Sequence, residues 1–133
     1  MKSMKLHELK YEVRKRRGKP EGDAEKKLYN AITSHSDFSY EIQHMRVLKN
    51  GTVAQFVNSL RDIIIWIEAN TLPMPDFPGR FTVIKLKEDF ILQNTEEELG
   101  SFLTKTIYKI LHDRLQQLIR KLNEERENLK RQL

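Results

Sequence analysis

The last 38 residues, Glu96 to Leu133, contain no proline and only one glycine, Gly100. Nothing in that stretch stops a helix, and its start is explicit. Thr95 with Glu98 three residues on is a capping box, and Glu96 and Glu97 suit the positive end of a helix dipole. At 1.5 Å per residue such a helix runs about 57 Å. A compact domain of this chain length is only about 35–40 Å across. The end of the helix must therefore project, and something should cover it.

The apolar pattern changes along this helix. From Leu99 to Leu111 it is broad, with Leu99, Phe102, Leu103, Ile107, Ile110 and Leu111, the width a helix needs to lie on a globular core. Beyond that it narrows. Leu111, Leu115, Leu118, Leu122, Glu125, Leu129 and Gln132 alternate steps of four and three, the seam of a coiled coil. Glu125 and Gln132 weaken its last heptad. The seam predicts a homo-oligomer joined through Leu111, Leu115, Leu118, Leu122 and Leu129; the competing reading is an antiparallel partner within the chain, the first helix.

Upstream, residues 3–17 carry Leu6, Leu9 and Val13 at helical spacing, and Gly18, Pro20 and Gly22 then break the chain. Asp23 is read as the N-cap of a second helix reaching about Thr33, with Leu28 and Ile32 as its stripe. Residues 39–49 admit a strand turning at Asn50-Gly51 or a helix through Phe38, Ile42 and Met45; the helix is favoured. Thr52 caps an expected helix from Val53 to about Ala69, striped by Val53, Phe56, Val57, Leu60, Ile64 and Ile67. Ile63, Ile65 and Trp66 widen it beyond one face. Three of the four prolines fall in residues 70–80, an extended connector. Phe81–Leu86 and Phe90–Gln93 read as a small hairpin around Lys87-Glu88-Asp89.

The expected architecture is mainly α. Residues 1–110 form a helical domain with a hairpin near 81–93, and 111–133 a coiled-coil-like extension of the last helix. Its expected core is Leu28, Ile32, Phe56, Leu60, Ile64, Ile67, Phe102 and Ile107.

Composition narrows the chemistry. With no cysteine, disulfides, thiolate metal sites and cysteine nucleophiles are excluded. The longest uninterrupted apolar run, Ile63 to Ile67, is far short of the roughly 20 residues of a membrane helix. The N-terminus lacks a secretory apolar core, so a cytoplasmic or intravirion location is expected. His7, His35, His44 and His112 fall in no metal-binding spacing and read as surface or satisfied histidines. The glycines at 18, 22, 51, 79 and 100 form no phosphate-cradling loop. Glu88, Asp89, Glu96, Glu97 and Glu98 read as a turn and a helix start rather than a cation site. No catalytic residue, metal or cofactor is assigned, and no enzyme is expected.

Charge is distributed unevenly. Residues 1–19 carry eight basic and two acidic side chains, residues 20–100 eight against thirteen, and residues 101–133 eight against four. Basic ends thus flank an acidic middle, which favours an anionic partner or head-to-tail contact between copies. With Glu12 paired to Arg16, the cluster of Lys10, Arg14, Lys15, Arg17 and Lys19 keeps an excess of positive charge and suits contact with phosphates, each releasing condensed counterions. The expectation is an oligomeric nucleic-acid-binding accessory or regulatory protein. The alternative is an adaptor or assembly subunit, of scaffold or virion type, whose basic ends meet acidic protein.

Overall fold

The computed structural model describes residues 22–48, 52–68, 74 and 76–133. In chain order these form helix α1 (Asp23–His35), strands β1 (Gln43–Leu48), β2 (Thr52–Asn58), β3 (Ile63–Glu68) and β4 (Thr82–Lys87), and helices α2 (Glu88–Gln93) and α3 (Glu96–Gln132). Helices hold more than twice as many residues as strands. The expected first helix over 3–17 lies outside the described residues.

The expected helix from Val53 to Ala69 is instead two strands and the turn between them. Ile63, Ile64, Ile65 and Trp66 are all buried, each to 2 % exposure or less. Four consecutive buried positions, three of them β-branched, belong to a strand covered on both faces. The excess of apolar residues beyond one helical face was the signal of this. Asn58 shapes the turn by accepting a hydrogen bond from the Arg61 amide at 3.0 Å, and Asp62 completes it at φ 53°. The favoured helix over 39–49 is likewise corrected to β1, which pairs antiparallel with β2 from Gln43↔Val57 to Leu48↔Thr52. The hairpin expected near 81–93 is absent. Thr82–Lys87 pairs in parallel with β3, and residues 88–93 coil into α2.

The sheet order is β1-β2-β3-β4. A parallel β3–β4 pair requires the chain to return the whole length of the sheet, which explains the long proline-bearing connector. Phe77 and Phe81 at its end join Met45, Val57, Ile64 and Val83 on one face, with Phe77 edge-on to Trp66 at 6.0 Å. The amide of Gln55 is buried on this same face with neither polar atom bonded among the described residues. On the opposite face Phe56, Ile63, Ile65, Ile84 and Leu86 pack against Leu28 and Ile32 of α1, Ile91 of α2, and Leu99, Leu103 and Ile107 of α3. Of the expected core, Leu60 and Phe102 are instead exposed, at 71 % and 38 %, and Ile67 is partly buried. Leu60 sits in the β2–β3 turn rather than on a helix stripe, and Phe102 faces outward beside Phe90.

The capping box of α3 forms as the sequence indicates. The Thr95 hydroxyl accepts from the Glu98 amide, and the Glu98 carboxylate accepts from the Thr95 amide. The Thr95 amide first, and the Thr95 side chain second, hold the exposed Glu98 carboxyl below its usual pKa by hydrogen bonding to it. For α1 the cap is Gly22 rather than Asp23, which is the first helical residue.

Gly100 sets how closely α3 can approach α1. A Cβ there would come within 2.5 Å of the His35 carbonyl oxygen. Gly100→Ala should therefore destabilise the fold by about 1 kcal/mol net, because overpacking at a backbone contact costs about 1–3 kcal/mol. The opposing gain in helix propensity is only about 1 kcal/mol. Urea denaturation checks the sign, with the exposed Ser101→Ala as the variant that reports propensity alone.

Candidate assembly interface

Helix α3 is two helices in function. Its first four turns belong to the core, where Leu99, Gly100, Leu103 and Ile107 are buried and Ile110 and Leu111 pack against the same cluster. Among the described residues, Arg114 is the last of α3 to hydrogen-bond to the body of the protein. Its guanidinium donates to the carbonyl oxygens of Arg61 and Asp62, the latter at 3.0 Å, and to the Thr82 hydroxyl at 2.7 Å. The Asp62 carbonyl also accepts from the Thr82 amide at 2.9 Å. One side chain thereby ties α3 to the β2–β3 turn and to the start of β4. A planar fork of donors suits two adjacent carbonyls, which a lysine cannot match.

Sequence reasoning passed over Arg114. The available signal was a charged residue continuing the stripe of Leu99, Leu103, Ile107 and Ile110 by one more turn.

Neighbouring charges brace the same edge. The Arg61 guanidinium donates to both oxygens of Glu41, at 3.1 and 3.4 Å, and Asn58 adds a third hydrogen bond at 3.3 Å. The Arg61 hydrogen bond is the chief cause that holds the Glu41 carboxyl below its usual pKa. Tyr108 of α3 donates to the Asp37 carboxylate at 3.0 Å, and that hydrogen bond raises the phenol pKa. The Asp37 amide donates to Thr104 at 3.1 Å. The loop after α1 is thus fastened along one flank of α3.

From Leu115 onward every side chain of α3 is exposed. Leu115, Leu118, Leu122 and Leu129 stand 52–60 % exposed, and Ile119 beside them 42 %. Of the five interface residues expected from sequence, only Leu111 touches the core; the other four run on as a bare apolar stripe. None of the described residues covers that stripe. The expected phosphate-contacting residues Lys10, Arg14, Lys15, Arg17 and Lys19 lie outside the described residues.

Elsewhere, His44 and Glu25 are paired at 2.6 Å with side chains only 6 % and 8 % exposed. The Tyr29 and Phe56 rings flank that imidazole. Sequence reading found no carboxylate facing a histidine, because these two lie on α1 and β1 and meet only through the fold. Enclosure by packed rings gives the pair the character of a satisfied core contact. Among the described residues no group of three histidine, aspartate or glutamate side chains could hold a metal ion, and no helix is long and apolar enough to cross a membrane. No family model, curated protein or solved structure matches this chain.

Proposed function

We propose that the protein is a non-enzymatic assembly subunit that self-associates through the distal half of α3 and displays its helix-and-sheet head to other partners. One observation carries this reading: Leu115, Leu118, Leu122 and Leu129 lie bare along a helix already anchored at its other end. An exposed helix of this length is marginal alone, and a second helix packing on an a/d seam supplies the missing burial. Each covered leucine contributes about 1.5–3 kcal/mol. Replacing Leu115 and Leu122 together by Asp should give a monomer in light scattering, with the circular dichroism of the head retained, since neither residue touches the core. A monomeric unmodified chain at tens of micromolar would contradict the proposal.

A second reading is supported by the eight basic and two acidic residues of segment 1–19. In it, Lys10, Arg14, Lys15, Arg17 and Lys19 bind the phosphates of a nucleic acid without regard to sequence. Neutralising four or five phosphates per copy gives a log–log salt slope of about −4 for duplex DNA. Changing Arg14, Lys15 and Arg17 to Glu should weaken all nucleic acids alike and reduce that slope. Absence of measurable affinity at about 100 mM salt would remove this reading and leave the assembly role.

A further inference from the structure

We infer that the occupant of the bare stripe is a second copy of α3 running antiparallel, so that each copy's basic tail lies beside the other's acidic head. The inference rests on the self-association proposed above and adds its direction.

The seam itself distinguishes the two directions. In a parallel pair every residue of the seam meets itself, which sets Glu125 against Glu125 in one layer. Parallel pairing also brings Lys121, at a g position, beside Arg126 of the other copy, at e, and does so twice. In an antiparallel pair a layers meet d layers. Aligned so that Leu118 faces Leu122 of the second copy, Leu111 faces Leu129, and the twofold repeats both contacts. Glu125 then faces Leu115 rather than its own kind. The two Lys121 side chains approach near the twofold, where their long stems carry the ammonium groups to solvent.

Charge favours the same direction. Among the described residues up to 100, which build the head, acids outnumber bases twelve to seven, whereas residues 101–133 carry four acids and eight bases. Parallel association would stack like with like at both ends. Antiparallel association brings Lys130 of one copy level with Ile110 of the other and Arg131 level with the exposed Lys109, whose stem carries its ammonium group to solvent. There the exposed carboxylate of Asp37 is held out by Tyr108. Leu111 joins the two regions, because it packs on the head's core and also opens the seam.

The chain has no cysteine, so a single Gln132→Cys variant carries one spin label per copy at an exposed, uncharged site. In the antiparallel register residue 132 sits level with residue 108 of the second copy, so the two labels are separated by about 36 Å along the axis. In a parallel pair they lie side by side, roughly 10–15 Å apart given the usual interhelical spacing. A dipolar distance near 36 Å is the expected result. A distance under about 15 Å, with light scattering still giving an oligomer, would overturn the direction and preserve self-association. An unmodified chain that scatters as a monomer at tens of micromolar would overturn both.

Discussion

A helix longer than the body it serves is the constraint from which the rest of this structure follows. Burial of Leu99, Leu103 and Ile107 fixes the first half of α3 against the sheet, each side chain contributing about 1.5–3 kcal/mol. Gly100 permits the close approach to α1, and Arg114 ends the contact by holding the β2–β3 turn and the start of β4. What remains of the helix inherits a direction from this anchorage and has no surface of its own chain, among the described residues, to lie on. The proposed self-association uses an apolar stripe held in that position, whose orientation is set by the head.

The sequence made α3 legible from end to end. Its capping box, missing prolines and narrowing stripe are local signals, and each has its counterpart in the structure. The sheet was harder. Phe56, Val57, Leu60, Ile64 and Ile67 satisfy a helical period, yet all but Leu60, which sits in the turn, belong to two central strands whose opposite faces are both covered. Periodicity alone does not separate a doubly buried strand from a buried helix. The turn that divides them depends on Asn58 and on a positive φ at Asp62, neither of which carries the glycine that usually announces such a break. The parallel partner of β3 was invisible for another reason. Parallel pairing joins segments that a long connector separates, and adjacency favoured a local hairpin instead.

The candidate interface divides in the same way. Its leucines were readable because a heptad is a local pattern. Arg114, Tyr108 and Asp37, which set where the seam begins and what charge lies beside it, act across tens of residues and emerge only from the fold. The pair of His44 and Glu25 teaches the same lesson: no spacing in the sequence announces it, and the packing of α1 on β1 creates it.

Hydrogen exchange on the full chain, read at the amides of residues 115–129 over a range of protein concentrations, distinguishes a covered helix from a bare one. A solvated helix extending alone from the head opens readily, whereas a helix covered by a second copy opens only after dissociation. Slow exchange across this segment, with protection that rises as concentration rises, is the expected result. Rapid exchange at every concentration, beside a well-protected segment 99–107, would contradict self-association.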